Sequence, residues 1–243
     1  MTQLPTDLDG AIAQAKQATQ AALADGYSRL QVELLFPELK VMPVAQTFLA
    51  PFEDLESKLR VIFPDAGAAA LARRDWGEKP YAIRGIRDMN SEIQPEETLI
   101  IFVEPSSVEV QEVEAFCTAA GDRPVVLLNP RLEDVATIGI GYAGRQLRER
   151  FLSLFDSCYY LRPMEGAVIF RCYPSPWQVF LEGEDGEYTL IAEQPSKPIG
   201  DDLTRLLMQA TGEGGNESDT PITPVRKPGL LSGLQNFLRA LSQ

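Results

Sequence analysis

Four apolar segments of the chain end alike: Phe36-Pro37-Glu38, Phe63-Pro64-Asp65, Val103-Glu104-Pro105 and Leu128-Asn129-Pro130. Each reads as a strand stopped by proline, with an acid or an amide beside the stop. If these strands run parallel, their carboxyl ends share one edge of a sheet, where α/β proteins place ligands. Glu38, Asp65, Glu104 and Asn129 then converge with Arg131 nearby, and oxygen ligation of magnesium is the chemistry such groups suit. The competing account is that proline ends strands and the acids cap helices. For Asp65, which precedes an alanine-rich run, capping explains the residue well.

A second pattern, Gly139, Gly141 and Gly144, has GxGxxG spacing and leads toward Arg145 and Arg148. Glycines so placed let backbone amides at a helix start approach a pyrophosphate. A dinucleotide fingerprint requires a well-formed strand immediately before it. Glu133 to Ile140 is short and follows a proline turn, so a plain glycine loop is the expected reading.

Two further clusters suit partner recognition. Arg73, Arg74 and Trp76, with Arg84 and Arg87 beyond, form the densest basic patch. Arginine and tryptophan are common at interface hot spots, and cations are equally ordinary at a helix C-terminus, where they complement the dipole. Near the C-terminus, Leu230, Leu231, Leu234, Phe237, Leu238 and Leu241 make one apolar stripe at helical spacing. Such a helix enters a partner's groove, lies on a lipid surface, or folds back on its own domain.

Other chemistry is excluded by composition. The chain has no histidine, so triads built on that residue are ruled out, and with them the commonest metal ligand. Cys117, Cys158 and Cys172 lie far apart with no CxxC spacing, as expected of buried, inert thiols in a reducing compartment. A formal net charge of -13 argues against nucleic acid, which requires a basic surface. An acidic face can still meet a basic segment of another protein. No cofactor is expected.

The elements that must position these groups follow from periodicity. Leu8 to Leu23 has helical spacing behind Pro5-Thr6-Asp7, and Gly26 stops it. Arg29 to Phe36 reads as a strand. Val44 to Leu59 is helical with a break at Pro51. Arg60 to Phe63, Tyr81 to Ile86, Leu99 to Val103 and Val125 to Leu128 are strands, with helices at Ala66 to Arg74 and after Ser107. Ser106 and Glu109 have capping-box spacing. Strands alternating with helices imply crossovers and a largely parallel sheet.

Past a helix at Arg145 to Leu154 the pattern changes. Cys158 to Leu161, Ala167 to Tyr173, Trp177 to Leu181 and Tyr188 to Ala192 follow closely, and Asp185-Gly186 is a hairpin signal. This half predicts an antiparallel meander, followed by a helix over Asp201 to Ala210 that packs against the sheet through Leu203, Leu206 and Leu207. The expected fold is a three-layer α/β domain with a mixed sheet, parallel in the N-terminal half and antiparallel in the C-terminal half. Residues 1–211 form one such domain in this reading, 212–227 a flexible linker, and 228–243 the amphipathic helix. Met1 to Gly10 lacks a basic, apolar signal region, and no run of about 18 apolar residues exists to span a bilayer. A cytoplasmic location is therefore expected.

Arg60-Val61-Ile62-Phe63-Pro64-Asp65, Val125-Val126-Leu127-Leu128-Asn129-Pro130-Arg131-Leu132 and Tyr159-Tyr160-Leu161-Arg162-Pro163, in this order and spacing, resemble a domain-of-unknown-function family of cyanobacteria and chloroplasts. That family includes the low photosystem II accumulation assembly factor, and a similar domain is appended to some plastid adenylate kinases. The resemblance runs from about Pro5 to Ala210. It implies a non-enzymatic role in photosystem II assembly or accumulation, exercised by binding a protein partner peripherally at the thylakoid surface. It carries over no catalytic residue. The alternative from the residues alone is a magnesium-dependent enzyme that binds a nucleotide or phosphometabolite on the acidic strand-end rim.

Overall fold

The computed structural model describes residues 3–89, 92–132 and 142–211. Helix α1 (Leu8–Ala24) starts at Asp7, whose carboxylate accepts from Gly10 N at 2.7 Å and satisfies a free amide of the first turn. Strand β1 (Arg29–Leu34) follows, then α2 (Val41–Leu49). The expected break at Pro51 is realised as a change from α to 3-10 geometry over Ala50–Lys58. Next come β2 (Leu59–Phe63), α3 (Ala66–Trp76), β3 (Ala82–Gly85) and β4 (Leu99–Val103). A 3-10 turn at Ser107–Glu109 holds the expected capping box and leads into α4 (Val110–Ala120) and β5 (Val125–Leu128).

Helix α5 (Tyr142–Arg150) is shorter than Arg145 to Leu154 would suggest at its C-terminal end, where Leu152–Leu154 tighten into a 3-10 turn. Strands β6 (Asp156–Met164), β7 (Ala167–Cys172), β8 (Trp177–Glu182) and β9 (Tyr188–Gln194) complete the sheet, and α6 (Gly200–Thr211) ends the described chain.

The nine strands of the described residues form one sheet in the order β3-β2-β4-β5-β1-β6-β7-β8-β9. The first six in that order are mutually parallel, and β6 through β9 pair antiparallel. The α/β class and the split between a parallel and an antiparallel half are as the periodicity predicts. Strand β6 belongs to both halves, parallel to β1 on one side and antiparallel to β7 on the other.

Helices cover both faces, giving three layers. On one face α1, α2 and α3 bury Ala15, Phe48 and Ala72 against Val32, Val61, Val126 and Phe170. On the other, α4 and α5 bury Val113, Cys117 and Leu147 against Ile62, Phe102 and Leu127. Strands β2, β4 and β5 are buried at every position, as strands covered on both faces must be. Helix α6 sits more lightly than expected. None of its residues is fully buried, and Leu203 packs half-buried against Tyr160, Ile169 and Trp177. No helix among the described residues is long and apolar enough to cross a membrane.

Candidate functional site

The four strand ends with proline stops belong to β2, β4, β5 and β1, which are consecutive neighbours in the sheet and all parallel. Their carboxyl ends therefore share one edge. After β1 the chain turns onto the face carrying α2, and after β5 it continues to α5 on the opposite face. Adjacent strands whose connections leave in opposite directions open a crevice between them, the usual ligand position of an open α/β sheet. A crevice of about 150 Å³ lies there, lined in part by Leu35, Glu38, Leu39, Asn129 and Arg131.

Three residues of this edge hold left-handed backbone without being glycine: Glu38 (φ 61°), Glu104 (φ 50°) and Asn129 (φ 49°). Such conformations are costly for side chains with a Cβ and persist where the surroundings enforce them. For Asn129 the enforcing contacts are visible. Its Oδ1 accepts from Leu34 N at 2.8 Å and its Nδ2 donates to Leu34 O at 3.2 Å, while its own N–H donates to Val32 O at 2.7 Å. Asn129 is buried, and the amide ties β5 to β1 one step beyond their last backbone pair, Val32 with Leu128.

Glu104 follows the same logic more openly. Its N–H donates to Leu128 O at 2.8 Å, and its carboxylate pairs with Arg131 at 2.8 Å. Arg131 N in turn donates to Pro105 O at 2.7 Å, and a parallel bridge joins Ser106 to Arg131. Asp65 stands apart from this group. Its carboxylate accepts from Ala68 N at 2.8 Å and caps α3. A Cβ at Gly85 would lie 2.7 Å from Ala66 N, so β3 passes directly against that cap. The edge thus brings Glu38, Asn129, Glu104 and Arg131 together and leaves Asp65 in a capping role.

The basic patch divides on inspection. Trp76 is 7% exposed and its ring packs 5.6 Å from that of Phe63, in the core beneath α3. The Arg73 guanidinium donates to Ile83 O at 2.7 Å and ties α3 to β3. Arg74 faces solvent and pairs with Asp75 at 2.6 Å. The hydrogen bond from Arg74 holds the Asp75 carboxyl below its usual range.

Gly144 is the third residue of α5, while Gly139 and Gly141 lie outside the described residues. So do Leu230, Leu231, Leu234, Phe237, Leu238 and Leu241 with the linker before them. Cys117, Cys158 and Cys172 are buried and unpaired. Burial pushes the thiols of Cys117 and Cys158 up to about 12 and that of Cys172 up to about 11. These groups are neutral at physiological pH and are poor nucleophiles. Among the described residues no three histidine, cysteine, aspartate or glutamate side chains form a metal-holding group.

Two polar features were not singled out by motif. Arg60 and Glu97, each 3% exposed, form a buried ion pair at 2.7 Å. Gln31 and Glu33 project from the middle of β1, joined by a hydrogen bond of 3.1 Å. The alternation of polar and apolar residues from Arg29 to Leu34 was the available signal for the second feature.

No solved structure matches the chain. A family model described as a domain of unknown function (DUF1995) matches residues 5–205, from the residues before α1 into α6. With that match covering the greater part of its length, the chain belongs to the DUF1995 family.

Proposed function

We propose that the chain is a non-enzymatic accessory factor that supports photosystem II assembly or accumulation by holding a protein partner at the thylakoid surface. The observation that carries this reading is the use made of the strand-end groups. Asn129 spends both amide atoms on Leu34, Asp65 caps α3, and Glu104 engages Arg131. Hydrogen-bonding capacity directed into the fold shapes and stiffens an edge, and a stiff edge is what a docking surface requires. The family resemblance and the apolar stripe from Leu230 to Leu241 support the same reading, the stripe as a recognition element for a groove or lipid surface. Arg74 and its exposed neighbours offer an accessory contact.

The test is affinity capture from native thylakoid membranes, with the full chain and with one ending at Gly212. Retention of photosystem II subunits by the full chain is expected, as is co-sedimentation with membranes that weakens when Leu234 and Phe237 are changed to Asp. Unchanged sedimentation together with no photosystem II subunit in the eluate would sink the reading.

A second reading is favoured by the left-handed Glu38, Glu104 and Asn129 at the β1–β5 crevice, since strain gathers where ligands are clamped. In it the rim binds a magnesium nucleotide or phosphometabolite and acts on it. A magnesium nucleotide then raises the melting temperature, and Glu104→Ala abolishes the rise.

A further inference from the structure

The two edges of the sheet are finished differently. Strand β3 closes one edge with four residues, and side chains take up its backbone groups. Arg73 donates to Ile83 O at 2.7 Å, and Asp88 accepts from Gly85 N at 2.8 Å. Short length and covered backbone are among the ways an edge is kept from pairing with another chain. Strand β9 closes the other edge with seven residues and pairs only with β8. It contains no proline, lysine or arginine, and none of its residues is buried. A bulge opposite Val179 and Phe180 adds twist. The next element, α6, packs Leu203 on a face of the sheet, against Tyr160, Ile169 and Trp177.

The register shows which backbone groups of β9 point outward. Glu182 N donates to Gly166 O, on the side of β7. Backbone groups alternate in direction along an antiparallel strand, so Phe180, in register with Val168, also turns toward β7. Its partner on the other side is Leu190, whose N–H and C=O therefore point away from β8. Gln178 has the same parity and turns Glu193 outward in the same way. Among the described residues nothing bonds to these outward groups of Leu190 and Glu193.

Charge selects what can pair there. The hairpin from Trp177 to Gln194 carries Glu182, Glu184, Asp185, Glu187 and Glu193 and no cation. None of these five carboxylates belongs to an ion pair among the described residues. A second copy fits poorly. Antiparallel pairing of two β9 strands centred on Leu190 sets Glu187 of one copy opposite Glu193 of the other, and like charges so placed repel.

We propose that the β9 edge takes up an extended, basic segment of a protein partner as an added strand. The segment's main chain bonds to the outward groups of Leu190 and Glu193, and its lysines or arginines meet the hairpin carboxylates. This edge then serves the docking function proposed above, on which the assignment rests, and gives the chemistry of the partner.

The probe is a short acetylated peptide alternating lysine and valine, added to the isotope-labelled full chain, with amide hydrogen exchange read by NMR. The Leu190 and Glu193 amides exchange freely in the chain alone and slow about tenfold or more with the peptide bound. Added salt weakens the binding. Glutamate for lysine, or proline for valine, in the peptide abolishes it. Glu184→Lys combined with Glu187→Lys, at two exposed positions, weakens binding about tenfold or more at an unchanged melting temperature. No binding, or binding that leaves both amides unprotected, overturns the proposal. So does protection that grows with the concentration of the chain alone, which makes a second copy the occupant. Capture from thylakoid membranes does not use the peptide, so either experiment can fail without the other.

Discussion

The side-chain amide of Asn129 completes a rung of the sheet that its own backbone has turned away from, accepting from Leu34 N at 2.8 Å and donating to Leu34 O at 3.2 Å. Asparagine is suited to the place because it offers a donor and an acceptor together and tolerates the left-handed conformation. The rung holds β5 to β1 where the crevice opens.

Replacing Asn129 separates geometry from bonding. Asn129→Gly removes the strain at φ 49° but leaves buried Leu34 groups unbonded, for a loss of about 1–3 kcal/mol. Asn129→Asp keeps the acceptor, loses the donor and buries a charge, and destabilises more than the glycine variant. Equilibrium urea unfolding ranks the two. A glycine variant as stable as the wild type shows that the rung contributes nothing.

Arg60 and Glu97 pin the crossing from β3 to β4. Glu97 pairs with Arg60 at 2.7 Å and accepts from Gln94 N at 2.8 Å, while Arg123 donates to Gln94 O at 3.0 Å. Glu97→Ala removes the buried carboxylate that faces the Arg60 guanidinium and costs about 3–5 kcal/mol. The double change Arg60→Leu with Glu97→Leu costs less than the two single changes summed, because neither charge is left alone. Thermal denaturation of Arg60→Leu, Glu97→Leu and the double variant decides it; strict additivity means the pair is not coupled.

Trp76 and Arg74 lie two positions apart in sequence and have different tasks. Trp76→Ala opens the core beside Phe63 and destabilises by about 3–5 kcal/mol. Arg74→Ala, at a side chain 70% exposed, leaves the melting temperature within about a degree. If Arg74 contributes to docking, Arg74→Glu lowers partner capture at that unchanged melting temperature, which a structural role would not do.

The buried thiols make stability fall in alkali. Thiols in the unfolded chain ionise near 9.0, whereas Cys117 and Cys158 stay protonated to about 12 and Cys172 to about 11. Above the unfolded value the unfolded chain holds fewer protons than the fold, so the thiol contribution to stability is complete below that value and declines as pH rises toward the folded values. Changing Cys117 to Ala flattens this alkaline decline in urea midpoints relative to wild type. A thiol reagent at about pH 8 modifies the three cysteines only once urea unfolds the chain. Rapid labelling of the native protein contradicts the burial.

The secondary structure was largely legible because its signals are local. Asp65 ahead of an alanine run and Ser106 three residues before Glu109 are caps that need only their own turn of backbone. The apolar runs Leu99–Val103 and Val125–Leu128 announced strands buried on both faces. The shared proline stops announced an edge, and the parallel order of β2, β4, β5 and β1 aligns them.

What the chain could not disclose by itself depends on residues far apart in sequence coming together. Asn129 was a candidate for the rim, but that its amide is spent on Leu34, 95 positions away, follows from β1 sliding in beside β5. Trp76 was one candidate for partner contact beside Arg73 and Arg74, and the packing of α3 turns it toward Phe63 instead. Gln31 and Glu33 lie in a segment that the sequence marks only as a strand, and the insertion of β1 between β5 and β6 is what places them along a cleft. Periodicity and capping are settled within a few residues, by steric limits and free backbone amides. Which face meets solvent, and which polar groups find partners, is settled by how the layers close over one another.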